Sequence, residues 1–199
     1  MRIGIIGKGQ VGSALCAGWQ KAGYDVRTSD RSADPRPRDL AAWADLLVLA
    51  VPYSVLVDVS NAIGPAKGKI VVDCTNPIER GPKGLGLSVG LTTSGAERLQ
   101  SLLPGAKVVK TLNQVGAEIM ADAKEFQHPP VQFLAGDHAE AKETVARLLL
   151  DLGFEPLDAG DLSKARLLEP FALVWINQAV AQGKGRDWAF GAMRRSRDK

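Results

Sequence analysis

Apolar residues fall in short continuous runs that alternate with stretches of helical spacing along almost the whole chain. The run Ile3-Gly4-Ile5-Ile6 has no polar residue between its apolar ones, as expected of a strand covered on both faces. Residues 11–22 then carry a helical pattern, and Gly23 follows as a stop signal. Further strands are predicted over residues 25–29, 46–51 (ended by Pro52), 69–73, 107–110, 131–135 and 155–158. Helices are predicted over 54–63, 94–103, 139–152 and 167–181. Ser94 with Glu97, and Asp137 with Glu140, have the spacing of a capping box. Residues 75–93 hold six glycines or prolines and little periodicity, and they read as a long loop.

Strands alternating with helices through short links imply an α/β architecture, a doubly wound, mostly parallel sheet with helices on both faces. No repeat or linker divides the chain, so residues 1–199 are expected to form one domain. Its sheet core is placed in 1–160, and its C-terminal helices and tail in 161–199. The span between the second and third strands, residues 30–45, is short and carries Pro35 and Pro37. It has room for one short helix over 38–44, but not for a helix and a further strand.

Composition narrows the class. Apolar residues are 45% of the 199 and charged residues 24%, the mix of a globular chain with a true core. A chain of this size buries roughly 70% of its unfolded surface and needs no covalent or metal staple. Cys16 and Cys74 are the only cysteines, which fits a reducing compartment. With two histidines at unrelated spacings, they lead to no expected metal site. The longest apolar stretch, residues 46–57, is interrupted by Pro52 and falls short of the ~20 residues of a membrane span. No signal segment follows Met1-Arg2, so a soluble cytoplasmic protein is expected, with no membrane partner. The net charge is only +3, and the basic residues cluster only at Arg186, Arg194, Arg195, Arg197 and Lys199. With Trp188 and Phe190 as the only aromatics there, this reads as a solvated terminus, and no nucleic-acid partner is expected.

The chemistry is carried first by Gly7-Lys8-Gly9-Gln10-Val11-Gly12, which matches GxGxxG. The pattern alone is weak, but here it follows a buried strand, opens a helix and begins a βαβ unit. An acidic residue, Asp30, lies 18 positions beyond Gly12. Gly7 permits the tight turn, Gly9 lets backbone approach a pyrophosphate, and Gly12 lets the helix pack on the strand. The first amides of that helix then face phosphate charge. These features predict a Rossmann-type dinucleotide-binding domain. A carboxylate at Asp30 suits the ribose diol of NAD(H), whereas Arg31, Arg36 and Arg38 suit the 2′-phosphate of NADP(H). From the residues alone the two cofactors stand level.

Longer blocks of the sequence carry a family resemblance. The first half contains Ala44-Asp45-Leu46-Leu47-Val48-Leu49-Ala50-Val51-Pro52-Tyr53 and Lys69-Ile70-Val71-Val72-Asp73-Cys74-Thr75-Asn76-Pro77. The second contains Val108-Val109-Lys110-Thr111-Leu112-Asn113, then Ala135-Gly136-Asp137, Leu157-Asp158-Ala159-Gly160-Asp161-Leu162 and Ala165-Arg166-Leu167-Leu168-Glu169. In that order they resemble the NADPH-dependent coenzyme F-420 reductases and their bacterial dinucleotide-binding relatives. The resemblance implies NADP(H) as cofactor, with NAD(H) the alternative left by Asp30. It also implies an enzyme that passes hydride between nicotinamide and the deazaflavin of coenzyme F-420 or a related flavin, and a homodimer. Three features depart from the family. Asp30-Arg31 stands where Ser-Arg is common, so only the arginine carries over. The span after the second strand is shortened, and Asn113 stands where archaeal members have histidine. The first half also looks like prephenate dehydrogenases, whose catalytic histidine has no counterpart here; His128 and His138 lie elsewhere.

Ligands of an open α/β sheet sit beyond the carboxyl ends of the strands, at the switch point. Ala50, Val51, Pro52, Thr75 and Asn76 are expected there with the glycine turn, and Lys110 and Asn113 are the candidates for orienting an acceptor. Lys110 would act by charge, or merely snorkel from its strand end; Asn113 would act through its amide. The glycine-rich stretch 80–90 is a candidate flank for the second substrate. Trp175 and Phe171 are read as core or dimer interface. Hydride transfer to a deazaflavin needs orientation more than a strong acid, because the ring spreads the charge. Two other readings remain: a dehydrogenase or imine-type reductase of a small substrate, using a proton donor such as Lys110, and a non-catalytic nucleotide sensor.

Overall fold

The computed structural model describes residues 1–30, 35–82 and 84–195. The chain runs β1 (Arg2–Ile6), α1 (Gln10–Lys21), β2 (Asp25–Ser29), α2 (Pro37–Trp43), β3 (Leu46–Leu49), α3 (Leu56–Ile63) and β4 (Ile70–Asp73). A hairpin of β5 (Ile78–Gly81) and β6 (Gly84–Leu87) follows, then α4 (Gly95–Leu102), β7 (Lys107–Lys110) and α5 (Ala117–Met120). The remainder is β8 (Val131–Ala135), α6 (Ala139–Asp151), β9 (Glu155–Gly160) and α7 (Ala165–Ile176), which continues into a π-helical turn, Asn177–Ala181. Seven strands form one sheet in the order β2-β1-β3-β4-β7-β8-β9. All neighbours are parallel except β7 and β8, which meet antiparallel at a single pair, Lys110 opposite Ala135. This is the doubly wound, Rossmann-type architecture that the alternation predicts. The chain leaves β1 in opposite directions toward β2 and β3, which sets the switch point beside β1.

Alternate strand residues feed opposite faces, as a two-residue side-chain period requires. Ile3, Ile5, Leu46, Val48 and Val72 join Leu15, Trp19, Val145 and Leu148 in one core. Ile6, Leu47, Leu49 and Val71 join Leu40, Val59, Ile63 and Leu99 in the other. The buried Trp19 indole is satisfied, donating from Nε1 to the Leu148 carbonyl at 3.1 Å. No helix of the described residues is long and apolar enough to cross a membrane.

Several expected elements change. Residues 75–93 are not one loop, because β5 and β6 pair across Ile78–Leu87 and Gly81–Gly84. This ribbon stands apart from the main sheet and is largely exposed, so no apolar alternation marks it. The third strand stops at Leu49, the 54–63 helix opens with a 3₁₀ turn at Tyr53–Val55, and the terminal helix starts at Ala165. The last strand runs on to Gly160. The short helix expected in the linking span forms at Pro37–Trp43, with Pro37 in its first turn. Ser94 and Glu97 do cap α4: Glu97 N donates to Ser94 Oγ at 3.2 Å, and Ser94 Oγ donates to Glu97 Oε2 at 2.7 Å. Asp137 and Glu140 form no such box. His138 is the N-cap of α6, and Asp137 Oδ1 instead accepts from Leu162 N at 2.9 Å.

Candidate functional site

The turn between β1 and α1 is built on backbone contacts that leave no room for side chains. Gly7 has φ +119, and a Cβ there would lie 2.2 Å from the Ala50 carbonyl oxygen. A Cβ on Gly12 would lie 2.0 Å from the Gly7 carbonyl oxygen, so α1 can start this close to β1 only with glycine. Gly9 differs: a Cβ there would meet nothing within 4 Å, because this glycine opens onto free space. Gly9 is also the N-cap of α1, and neither a side-chain cap nor an acidic residue occupies the helix's first turn. Its leading amides therefore present partial positive charge to solvent.

Two cavities adjoin this turn. One of about 280 Å³ is lined by Gly9, Gln10, Val11, Ala50 and Cys74, together with Val51 and Pro52. Its neighbour, of about 490 Å³, is lined by Gly7, Asp30, Pro37 and Val55, and shares Val51 and Pro52. The pair follows the carboxyl edge of the sheet on both sides of β1, the track an extended dinucleotide takes in this fold. Open space above Gly9, uncapped amides and two cavities that share Val51 and Pro52 fit such a ligand.

Asp30, at the end of β2, has Lys8 Nζ 3.9 Å from its Oδ2, so a cation already tempers the carboxylate. Arg31 lies outside the described residues. Arg36 is exposed and bonded through Nε to Asp39 Oδ2 at 3.0 Å, one turn along α2.

Beyond Cys74 the expected residues join a packed polar network. Lys110 is fully enclosed, neither snorkelling nor open to a substrate. Its ammonium lies 3.0 Å from Asp73 Oδ2 and 3.3 Å from Glu169 Oε1, and it donates to the Thr75 carbonyl. Burial opposes the Lys110 charge, but Asp73 and Glu169 outweigh it and hold the pKa above the ordinary lysine value. Burial pushes the Glu169 carboxyl up, against the pull of Lys110. Burial also pushes the Cys74 thiol up, and the Asp73 charge adds to it, so this cysteine stays protonated. Asn76 and Asn113 interlock: Asn76 Nδ2 donates to the Asn113 carbonyl at 2.8 Å, and Asn113 Nδ2 donates to Asn76 Oδ1 at 3.0 Å. Asn113 Nδ2 also donates to the Leu168 carbonyl at 3.2 Å, and Asn113 Oδ1 accepts from Gln114 Nε2 at 2.9 Å. The Asn113 amide is thus committed within the protein. Thr75 Oγ1 is buried without a partner among the described residues.

The structure therefore gathers the glycine turn, Ala50, Val51, Pro52 and Asp30 around two adjacent cavities. Thr75, Asn76, Lys110 and Asn113 lie in the network beside them. Sequence reasoning missed Glu169 as a member of that network. Its signal was available: spaced four from Ala165 and three from Ala172, it falls on the buried face of α7, where a lone carboxylate requires a partner. Trp175 and Phe171 pack with Trp188, Phe190 and Phe133 into an aromatic cluster at the C-terminal side.

Comparison with known proteins gives consistent results. The sequence model of a family described as coenzyme F-420-dependent NADP oxidoreductases matches residues 2–36. Among solved structures, a candidate F-420-dependent NADP reductase from Arthrobacter sp. FB24 is 31% identical with a TM-score of 0.87, covering 98% of this chain and 100% of that one. A hypothetical protein from Sinorhizobium meliloti is 30% identical with a TM-score of 0.69, covering 83% of this chain and 88% of its own. A reductive aminase from Aspergillus terreus, solved with NADPH, shares the fold at 19% identity and a TM-score of 0.68, covering 92% of this chain and 62% of that one. Among curated proteins, metalloreductase STEAP3 of Rattus norvegicus is 29% identical over 187 residues, 86% of this chain. The chain spans only 36% of that relative's length.

Proposed function

Because the chain belongs to the family of NADPH-dependent coenzyme F-420 reductases and their bacterial dinucleotide-binding relatives, we propose that it exchanges hydride between NADP(H) and coenzyme F-420 or a related flavin. The observation that carries this reading is the full-length similarity to the Arthrobacter protein, together with a groove that meets the glycine turn at its open side. The leading amides of α1 bind the pyrophosphate, and Gly9 permits its close approach. Asp30 and Lys8 face the adenosine ribose, where Arg31 is the proposed partner of a 2′-phosphate. Val51 and Pro52 form the wall between the two halves of the groove. When bound, the nicotinamide supplies or receives the hydride.

A deazaflavin or flavin ring suits what the protein offers at this edge. Its charge is spread over the ring, so transfer depends on orientation in a dry site rather than on a protein acid. Lys110 is closed off within its carboxylate pair, and Cys74 is held as a neutral thiol. Reduction of a small imine or carbonyl substrate would need a proton donor that faces the groove, and Lys110 does not supply one.

Stopped-flow mixing of the protein with NADPH or NADH, each against coenzyme F-420 and FMN, tests the assignment directly. Bleaching of a ring acceptor, faster with NADPH, is the expected result. No bleaching of either acceptor with either nucleotide overturns it.

A further inference from the structure

The enclosed Lys110 network does more than neutralise its own charges. Asp73 Oδ1 accepts from Thr75 N at 2.9 Å, while Lys110, paired to the other Asp73 oxygen, donates to the Thr75 carbonyl. Both main-chain polar groups of Thr75 are thus gripped by one ion pair. The far side of Lys110 meets Glu169, whose two oxygens accept from Gly95 N at 3.0 Å and Ala96 N at 3.2 Å in the first turn of α4. A second route runs alongside: the neighbouring Asn76 is interlocked with Asn113, which donates to the carbonyl of Leu168, the residue before Glu169. Both routes start at the Thr75-Asn76 turn and end on α7, some ninety residues further along the chain. Cys74, one residue before the turn, lines the groove at the start of α1.

Three buried charges are a costly way to hold a fold together. Desolvation costs several kcal/mol per ion, and apolar residues of similar volume often give equal stability. What they provide in return is fixed geometry. We propose that Glu169 and Lys110 are positioning residues, which through Asp73 lock the Thr75-Asn76 turn as the wall for the nicotinamide end of the cofactor and so couple its orientation to α7. The proposal rests on the dinucleotide reading given above. Neither residue touches the cofactor; each acts through the backbone of Thr75.

The test uses the full chain and two nucleotides, NADPH and 2′-phospho-ADP-ribose, which lacks only the nicotinamide. Glu169→Gln keeps the side-chain shape, removes its charge and gives up one of the two oxygens that accept from the α4 amides. It is expected to weaken NADPH binding by about tenfold, within the usual range of coupling between sites, and to leave 2′-phospho-ADP-ribose binding unchanged. In the nucleotide-free protein the same variant is expected to speed hydrogen exchange of the Thr75 amide. Lys110→Met alone would strand two carboxylates and risks misfolding, so the second variant is the neutral triple Asp73→Asn, Lys110→Met, Glu169→Gln. It should fold cooperatively with a lowered melting temperature, because the Thr75 carbonyl and one α4 amide lose their partners, and show the same selective loss of NADPH. Equal weakening of both nucleotides, or wild-type NADPH affinity in a folded triple variant, overturns the proposal. Failure of the unmodified chain to bind either nucleotide overturns the dinucleotide reading itself and the proposal with it. Unchanged Thr75 exchange in Glu169→Gln, with nucleotide binding intact in the unmodified chain, overturns the clamp alone.

Discussion

Two glycines of one turn are present for different reasons, and substitution separates them. Gly7 is required by the protein: its positive φ and the 2.2 Å approach of the Ala50 carbonyl exclude any side chain. Gly9 has nothing within 4 Å and is required only by what binds above it. Gly7→Ala is therefore expected to lower stability by more than about 1 kcal/mol, the scale of a strained glycine replacement. Gly9→Ala should leave the melting temperature of the free protein unchanged and weaken NADPH at least tenfold, as read by calorimetry. Equal affinity in Gly9→Ala and wild type would remove the pyrophosphate from this turn. Tyr24 offers a test of a different kind. Its partial burial and its hydrogen bond to Asp151 Oδ2 at 2.6 Å push its pKa from 10.0 up to about 12. The unfolded chain loses this proton first, so the stabilisation is complete below pH 10 and drains away as pH rises toward 12. Urea unfolding across that window should show a steeper alkaline loss in the wild type than in Tyr24→Phe.

Secondary-structure elements were readable in the sequence wherever burial imposed a period. Strands β1, β3 and β4, inside the sheet and covered on both faces, carry unbroken apolar runs, and β1 and β4 fall within a residue of their predicted limits. The edge strand β2 and the mixed β7 and β8 do so as well, set by their flanking turn signals. The β5–β6 ribbon has no core to face, and only its glycines and prolines showed. Capping spacing was an incomplete guide, since Ser94 closes its box while Asp137 is drawn away to the Leu162 amide. The glycine turn was legible because its backbone constraints dictate residue type. The Lys110 network was not, since its partners come from three separate elements and only the fold brings them together. The same holds for Gln114, which fills a gap in the sheet. With β7 and β8 joined at one pair only, Gln114 Oε1 accepts from Phe133 N at 3.1 Å, and its Nε2 donates to the Phe133 carbonyl at 3.0 Å. A side-chain amide there takes the place of a neighbouring strand. Gln114→Leu leaves the part-buried Phe133 amide without its acceptor, which should cost about 1–3 kcal/mol in urea unfolding. The Phe133 carbonyl keeps its bond from Thr111 Oγ1, which holds the loss to that range.

Beyond single elements, the surface of the chain carries one feature that the proposed hydride chemistry does not use. Leu167, Pro170, Val174, Asn177 and Ala181 follow each other at intervals of three and four along α7 and its π-helical extension, and all are exposed. Leu167 is 64%, Val174 50% and Val180 57% exposed, and the stripe borders a cleft of about 670 Å³ against Leu85 of the hairpin. Soluble monomers rarely leave a contiguous apolar patch of this kind uncovered. Because the stripe holds no charged side chain, it can meet its own copy without repulsion, as the self-complementary contact of a two-fold dimer demands. A homodimer through α7 is therefore the proposed assembly, and it would place the helix that carries Glu169 at the subunit boundary. Light scattering on the eluting protein should then report twice the 21.2 kDa chain mass. The double variant Leu167→Glu, Val174→Glu puts four like charges across the contact and should elute as a monomer. Its affinity for 2′-phospho-ADP-ribose should stay at the wild-type value, because the adenosine half of the groove lies at β1 and α2, away from this helix. A wild-type chain that elutes at its monomer mass, or a charged variant that stays dimeric, would move the interface off α7.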